Sequence, residues 1–151
     1  MIVYRFSPKQ FVSNLSGEGS RLYGGRWNNK GLPALYTSLT TSLALVELLI
    51  HNASYHEIKN NCLALIELPE KSLLKIETTS LKKNWWNDEE YTKYIGSEFL
   101  ASKKYLLLKI PSAIVHEEFN IIINPLHQDF KKIKLKEIKD FTFDARLFKT
   151  V

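Results

Sequence analysis

The 151-residue chain has few residues that cross-link or bind metals, and it has no long hydrophobic run. Its single cysteine, Cys62, cannot form a disulfide within the chain and has no metal-ligand spacing around it, which is typical of a reducing compartment. The four histidines include no helical pair with a supporting carboxylate, so a metal enzyme is not expected. The longest apolar stretch, residues 43–50, carries Glu47 and is too short to cross a bilayer. Because the N-terminus has no basic segment followed by an apolar one, we expect no export signal, no membrane span and a cytoplasmic protein.

Positive charge is concentrated near the C-terminus. The net charge is +5, from 21 Lys and Arg against 16 Asp and Glu. Residues 131–149 alone contain seven Lys and Arg against three Asp and Glu. A local excess of this kind is compatible with a solvated strand, an acidic partner or a nucleotide. It does not predict direct nucleic-acid binding by this chain.

The apolar pattern predicts one domain over residues 1–151, of the α+β class. The composition, 44% hydrophobic and 25% charged, is that of an ordinary globular domain, and no repeat or linker divides it. A helical period predicts a helix that starts at residues 40–42 and continues to Ala53. The other predictions are strands at 2–6, 33–37, 63–68, 73–77, 105–110, 120–124 and 141–147, a helix at 85–102 and a loop at 16–30. Residues 63–68 and 73–77 are predicted as neighbouring strands or one bent strand. Because the strands come in runs, we expect a mixed or largely antiparallel sheet with flanking helices.

The most unusual stretch is residues 17–31, which hold five of the six glycines together with Arg21 and Arg26. Glycine lets a ligand approach the main chain, and a guanidinium matches phosphate in two-point contact, so the stretch is a candidate anion or nucleotide site. The stretch matches neither the phosphate loop nor the dinucleotide fingerprint. Tight turns with solvated arginines also explain it, and the loop taken alone favours this explanation.

A second candidate is Glu47, a carboxylate inside the apolar helix segment 43–50. Burial of a charge is unfavourable unless the charge is paired, so Glu47 is either a boundary residue that reaches water or a positioned functional group. The arginine stretch leads into the strand that carries Tyr36, and the helix with Glu47 follows this strand. Arg26, Tyr36 and Glu47 are therefore predicted to converge at one end of the sheet.

Ser112 and Asn124 follow two apolar strands, at positions where the lip of a pocket would lie. Plain turn chemistry, with Ser, Asn and Pro ending each strand, explains both residues without a ligand. On the residues alone this second explanation is the stronger one.

Several motifs together resemble, in order and over nearly the whole chain, the RES domain family. They are Tyr4-Arg5, Gly19-Ser-Arg-Leu-Tyr-Gly-Gly-Arg-Trp-Asn28, Ala34-Leu-Tyr-Thr-Ser38, Glu47 in its helix, Ile110-Pro-Ser112, and Asn120-Ile-Ile-Ile-Asn-Pro125 followed by His127. The resemblance implies a fold like that of ADP-ribosyltransferase toxins. It also implies the toxin of a bacterial toxin–antitoxin pair that degrades NAD, by phosphorolysis or hydrolysis of the nicotinamide–ribose bond, and so arrests growth.

The resemblance places four residues in the active site: Arg26, Tyr36, Glu47 and Ser112. Glu47 would stabilise the positive charge that develops on the ribose, and Arg26 would hold the pyrophosphate or an attacking phosphate. Tyr36 would stack on nicotinamide or order the ribose. Ser112 would hydrogen-bond the nicotinamide ribose or carboxamide.

Three further residues match supporting positions that bind NAD: Arg5, Asn28 and Asn124. Asn124 would share the role of Ser112. NAD is the substrate in this scheme, phosphate is an optional co-substrate, and neither a metal nor another cofactor is required.

The family also implies a partner, an antitoxin with an Xre-like helix-turn-helix domain, which we expect to occlude the active site. Two other functions remain open: an ADP-ribosyltransferase that modifies a protein, and a nucleotide- or RNA-binding module without turnover. The sequence leaves open the acceptor of the ADP-ribose and whether the chain is active without its antitoxin. It also leaves open whether the chain forms a homodimer or a hetero-oligomer with the antitoxin.

Overall fold

The computed structural model describes residues 1–149, so the last two residues of the domain predicted over 1–151 lie outside it. This part of the chain contains seven strands and four helices. The strands are β1 (Ile2–Pro8), β2 (Leu35–Ser38), β3 (Asn61–Glu67), β4 (Leu73–Lys75), β5 (Leu107–Pro111), β6 (Phe119–Ile123) and β7 (Lys134–Asp140). The helices are α1 (Glu18–Tyr23), α2 (Thr41–Ile50), α3 (Tyr55–Ile58) and α4 (Glu89–Ser102), with short 3-10 turns at Thr78–Ser80, Trp85–Asn87, Gln128–Lys132 and Ala145–Phe148.

All seven strands form one sheet in the order β4-β5-β6-β2-β1-β3-β7. Only β4 and β5 run parallel; the other neighbours are antiparallel. The predicted α+β class, with a mixed and mainly antiparallel sheet and flanking helices, is confirmed.

Both faces of the sheet are covered by apolar side chains. Side chains alternate between the faces of a strand, so Ile121 and Ile123 of β6 pack in one buried cluster while Ile122 packs in the other. The second cluster also contains Phe99 and Leu100 of α4, which covers that face. Continuous apolar runs such as 121–123 are what a strand buried on both faces requires.

The two longest helices begin at polar caps. The Thr40 side chain accepts a hydrogen bond from the Leu43 N–H at 3.0 Å, and α2 then continues to Ile50, three residues short of the predicted end. The Asp88 side chain accepts one from the Tyr91 N–H at 3.0 Å, which starts α4 inside the predicted helix 85–102.

No helix within residues 1–149 is long and apolar enough to cross a membrane.

Two strand predictions and one loop prediction are wrong. Strands β3 and β4 are not neighbours, because β1 and β7 occupy the two edges of β3 and four strands lie between β3 and β4. The last strand is β7 and not residues 141–147, because Phe141 and Phe143 turn away to pack on the Phe6 ring, with centroids 4.9 and 5.4 Å from it. The predicted loop 16–30 contains α1.

Candidate active site

A cleft of about 1300 Å³ opens beside the β1 and β2 strands. The arginine stretch, α2 and the start of α4 form the rest of its wall, together with the segment that joins β5 to β6. Arg5, Arg26, Tyr36 and Glu47 all line it, as does Asn120. The predicted convergence of Arg26, Tyr36 and Glu47 is therefore present in the structure.

The carboxylate of Glu47 is held by two other elements. Its Oε1 accepts hydrogen bonds from the Ser112 hydroxyl at 2.9 Å and from the Asn120 side-chain amide at 2.7 Å. Asn120 is itself held, because its Oδ1 accepts a hydrogen bond from the Ser38 hydroxyl at 2.7 Å across the β2–β6 pair. Glu47 Oε2 receives no hydrogen bond from residues 1–149 and is available to a ligand in the cleft.

Ser112 acts on Glu47 and does not line the cleft. The residue is fully buried, and its hydroxyl oxygen accepts hydrogen bonds from the backbone N–H groups of Ile114 and Val115, both at 3.1 Å. The hydroxyl has one proton, which it donates to Glu47. In this structure Ser112 therefore orients the carboxylate, and its predicted contact with the ribose or carboxamide is not available.

Two guanidinium groups in the cleft are without full partners. Arg5 Nη1 and Arg26 Nη1 are buried and donate to no acceptor among residues 1–149, and Arg26 Nη2 lies 3.9 Å from Glu89 Oε1. Burial lowers the pKa of Arg5, although an arginine stays charged in proteins. Buried charged donors without an acceptor are unfavourable, so these two nitrogens favour an anionic ligand.

Tyr36 and Asn28 hold the arginine stretch in place. The Tyr36 hydroxyl donates to Asn28 Oδ1 at 2.6 Å and accepts from the Trp27 N–H at 3.0 Å. Burial raises the pKa of Tyr36 well above its usual value, so the hydroxyl stays neutral. Asn28 is fully buried and donates to the carbonyl groups of Ser20 and Leu32. Asn28 thus lies behind the wall of the cleft, whereas Tyr36 belongs to it.

Helix α4 fixes the same stretch from the other side. The Thr92 hydroxyl donates to the Arg26 carbonyl at 2.8 Å. A Cβ added at Gly96 would lie 1.8 Å from the Trp27 carbonyl oxygen, so only glycine allows the helix to approach this closely. The position of Arg26 therefore depends on a helix that starts more than sixty residues later in the chain.

Asn124 lies at the other end of the sheet. Strands β5 and β6 are antiparallel, with Pro111 opposite Phe119 and Leu107 opposite Ile123, so Ser112 and Asn124 follow opposite ends of the pair. Asn124 is fully buried and donates to the Leu100 carbonyl at 3.1 Å. The prediction that Ser112 and Asn124 share one pocket lip is wrong, because the carboxyl ends of antiparallel neighbours point in opposite directions.

Comparison with known proteins identifies the family. The sequence model described as "RES domain" matches residues 2–144 of the chain. The chain belongs to the RES domain toxin family.

This RES domain is similar to curated toxins over nearly its full length. It is 37% identical to "Toxin Res" of Photorhabdus laumondii subsp. laumondii, over 99% of this chain and 98% of that protein. It is 34% identical to "Prs ADP-ribosylating toxin" of Sphingobium sp., over 91% of this chain and 89% of that protein. Among solved structures, the M. tuberculosis MbcT–MbcA toxin–antitoxin complex contains a chain that superposes with a TM-score of 0.76 at 19% identity. This superposition covers 93% of the RES domain and 84% of that chain, and it shows that the two chains share a fold.

Two residues of the site were missed by the sequence analysis. Asn120 belongs to a predicted strand and to one of the family motifs, but the sequence gives it no role in the site, because its contact with Glu47 depends on strand pairing that no local pattern reveals. Trp86 lines the cleft but stands in an acidic, aromatic segment that predicts only core and a helix start. Residues 1–149 contain no group of three or more His, Cys, Asp or Glu side chains placed to hold a metal ion.

Proposed function

We propose that this RES domain is the toxin of a toxin–antitoxin pair and that it cleaves the nicotinamide–ribose bond of NAD in the cytoplasm, which arrests growth. The observation that carries the proposal is Glu47, whose carboxylate is oriented by Ser112 and Asn120 at a cleft that also holds two guanidinium nitrogens without acceptors. NAD is the substrate, and the scheme uses no metal or other cofactor.

The chemistry needs little more than one carboxylate. When the bond between ribose C1′ and the nicotinamide nitrogen breaks, its electron pair goes to the ring, which leaves as a neutral molecule. The sugar acquires oxocarbenium-like positive charge, and an oriented carboxylate in a partly buried site stabilises it. Glu47 has this role in the proposal, and Ser112 and Asn120 prevent its carboxylate from rotating away.

The arginines bind the remaining part of the substrate. NAD carries a pyrophosphate between its two nucleosides, and guanidinium groups form strong paired hydrogen bonds with phosphate oxygens. Arg5 and Arg26 supply the buried, unpartnered nitrogens for these bonds. Tyr36 contributes to the wall of the cleft and holds the backbone beside Arg26, so its loss is expected to displace the arginine.

The acceptor of the ADP-ribose is phosphate or water, and product analysis distinguishes the two. Purified, antitoxin-free protein is incubated with NAD, with and without inorganic phosphate, and the products are separated by chromatography. Phosphate-dependent release of nicotinamide with phosphorylated ADP-ribose identifies a phosphorylase, whereas phosphate-independent release identifies a glycohydrolase. Failure to release nicotinamide in either condition contradicts NAD degradation.

A protein ADP-ribosyltransferase is the second candidate, favoured by the name of the Sphingobium relative. The same cleavage step would then deliver ADP-ribose to a protein side chain. NAD labelled in its adenylate part separates the candidates when the toxin is incubated with a cell extract. Label that becomes protein-bound supports the transferase, and label that stays in small molecules supports NAD degradation.

The mouth of the cleft is suited to an antitoxin. Exposed apolar side chains lie around it: Phe11, Leu22, Tyr23, Ile50 and Ile114. Apolar side chains grouped at one opening are typical of a protein-binding surface. We propose that an antitoxin with an Xre-like helix-turn-helix domain covers this mouth, in line with the antitoxin partner of the M. tuberculosis structure. The proposal requires that antitoxin and NAD compete; tight simultaneous binding, measured by calorimetry, would exclude it.

A further inference from the structure

Trp86 is an aromatic side chain in the cleft that the scheme above does not use. It is half-buried and contributes to the cleft wall, whereas its neighbour Trp85 is buried in the core with 1% of its surface exposed. The Trp86 ring packs on the His116 ring, with centroids 4.2 Å apart and an angle of 34°. It also meets the Trp85 ring edge-on, with centroids 6.1 Å apart and an angle of 82°.

The groups behind Trp86 are themselves held. The Nε2–H of His116 donates to the Ala113 carbonyl at 3.1 Å, and Ala113 follows Ser112, which orients Glu47. The Trp85 ring also packs against Trp27 of the arginine stretch, with centroids 5.8 Å apart. Trp86 is therefore supported in one orientation, and the support is connected to both sides of the candidate active site.

Trp86 lines the same cleft as the anion-binding groups. Glu89, three residues after Trp86, lines the cleft and lies 3.9 Å from Arg26 Nη2. The same wall thus presents a flat aromatic surface and a guanidinium with a buried, unpartnered nitrogen. A ligand that uses both features carries a flat ring and a phosphate a short distance apart, which describes a nucleotide. Stacking of a base on an aromatic side chain is a common way to bind such a ring.

We propose that Trp86 is the stacking platform for a heteroaromatic base of the bound nucleotide and determines the affinity of the cleft for it. The inference rests on the proposed function, because NAD supplies both the ring and the phosphates. NAD contains two rings, adenine and nicotinamide, and both offer the flat surface that Trp86 requires. The test therefore uses ligands that carry only one of them.

Calorimetry with three ligands tests the platform. ADP-ribose carries only the adenine base, nicotinamide mononucleotide carries only the nicotinamide ring, and ribose 5-phosphate carries no aromatic ring. Trp86→Ala is expected to lower the affinity for at least one ligand with an aromatic ring by roughly 10-fold, which is the contribution expected from one stacked base. Trp86→Phe retains a flat ring and is expected to preserve most of the affinity. The ligand that is weakened identifies the ring that stacks.

Two controls separate stacking from a general structural effect. Tyr94→Ala removes an aromatic ring on α4 that is 66% exposed and lies outside the cleft, and it should change none of the affinities. Ribose 5-phosphate should bind Trp86→Ala as it binds the wild type. Thermal unfolding and near-ultraviolet circular dichroism establish whether each variant is folded. If Trp86→Ala is not folded, Trp86→Phe is compared with the wild type instead.

The inference is overturned if folded Trp86→Ala binds both ligands with aromatic rings as tightly as the wild type does. It is also overturned if the substitution lowers the affinity for ribose 5-phosphate by the same factor. It is also overturned if the wild type binds neither ring-bearing ligand. Its failure differs from failure of the proposed function. If Trp86→Ala cleaves NAD with an unchanged KM, only the stacking role of Trp86 is contradicted. If ADP-ribose binding depends on Trp86 but the protein does not cleave NAD, only the proposed enzymatic activity is contradicted.

Discussion

The hydrogen bond from the Asn120 amide to Glu47 can be removed to test whether Asn120 positions the carboxylate or only stabilises the fold. Asn120→Ala removes the 2.7 Å hydrogen bond to Glu47 Oε1 and leaves the carboxylate held by Ser112 alone. Hydrogen bonds to a charged group contribute roughly 1.5–3 kcal/mol, so we expect kcat for NAD cleavage to fall by roughly 10- to 100-fold. KM should change less, because Asn120 acts through Glu47. Steady-state kinetics of nicotinamide release measure both constants.

Asn124→Ala is the matched control. Asn124 is also an asparagine and directly follows β6, the strand that contains Asn120. It forms hydrogen bonds with the backbone of Leu100 and Leu126 at the opposite end of the sheet. Its loss leaves buried groups without partners and should lower the free energy of unfolding by about 1–3 kcal/mol. The kcat of the folded variant should stay within about twofold of the wild type. A loss of kcat equal to that of Asn120→Ala would contradict the placement of Asn120 and Asn124 at opposite ends of the sheet.

At the residue scale, the sequence allowed the convergence of Arg26, Tyr36 and Glu47 to be predicted, because the loop, strand and helix that carry them are consecutive. The roles of Ser112 and Asn28 could not be predicted in the same way. Their hydrogen-bond partners depend on which side chain faces the cleft, and both turn out to be buried behind its wall. A residue's type and its place in a motif do not determine this orientation.

At the element scale, the packing of α4 on the arginine stretch controls the position of Arg26. Gly96→Ala places a methyl group 1.8 Å from the Trp27 carbonyl oxygen, which is far inside van der Waals contact, so α4 must move away from the loop. We expect clear destabilisation, on the order of the 1–3 kcal/mol that overpacking costs, and weaker NAD binding in the folded fraction. Thermal unfolding and calorimetric titration with ADP-ribose measure the two effects.

Gly19→Ala provides the comparison for this substitution. Gly19 lies in α1, and a Cβ there meets no atom within 4 Å. Alanine is the better helix former, so the variant should be as stable as the wild type or slightly more stable. A Gly96→Ala protein that matched Gly19→Ala in both stability and binding would contradict the close packing of α4.

The cap of α4 gives a pH dependence with a defined sign. Hydrogen bonds from Lys82 and from the Tyr91 backbone lower the pKa of Asp88 below its usual value, which is about 3.9. The ionised form is therefore favoured in the folded state. Its contribution to stability is present above about pH 4 and is lost as the pH falls through the lowered pKa.

Asp88→Asn isolates this charge, because asparagine caps helices as well as aspartate does. The melting temperature of the variant should lie below that of the wild type at pH 7, and the difference should shrink as the pH falls from 4 to 2. Differential scanning calorimetry across this range measures it. A difference that is absent at pH 7, or that grows in acid, would contradict the assignment.

Elements with local signals were predicted well, and elements defined by distant pairing were not. The caps at Thr40 and Asp88 and the apolar run at 121–123 can be recognised within a few residues of sequence. The separation of β3 from β4 cannot, because it depends on β1 and β7 pairing with β3 from both ends of the chain. The same long-range pairing brings Asn120 to Glu47 and places Asn124 out of reach.

At the scale of the whole molecule, the cleft combines a polar interior with an apolar mouth. Tyr23 and Ile50 are 78% and 61% exposed at this mouth, on opposite elements α1 and α2. If the antitoxin covers the mouth, the double variant Tyr23→Ser and Ile50→Ser should bind the cognate antitoxin at least about 10-fold more weakly, because exposed anchors of this size contribute roughly 1–3 kcal/mol when buried. Calorimetry with the purified antitoxin measures this loss.

NAD cleavage by the free double variant should stay close to that of the wild type, since neither side chain takes part in the hydrogen bonds that hold Glu47. Leu147→Ser, at an apolar side chain 40% exposed and outside the cleft, is the matched control and should bind the antitoxin normally. Equal antitoxin affinity for the double variant and the wild type would place the antitoxin on another surface.

In the proposed reaction, Glu47 stabilises the charge that forms when the nicotinamide–ribose bond breaks. Glu47→Gln keeps an oxygen that accepts hydrogen bonds from Ser112 and Asn120, and it removes only the negative charge. The decisive measurement is nicotinamide release from NAD by the purified, antitoxin-free wild type and this variant, with ADP-ribose affinity measured alongside. We predict a loss of roughly 100- to 1000-fold in kcat with ADP-ribose binding retained. A variant that released nicotinamide at the wild-type rate would contradict the assignment of Glu47.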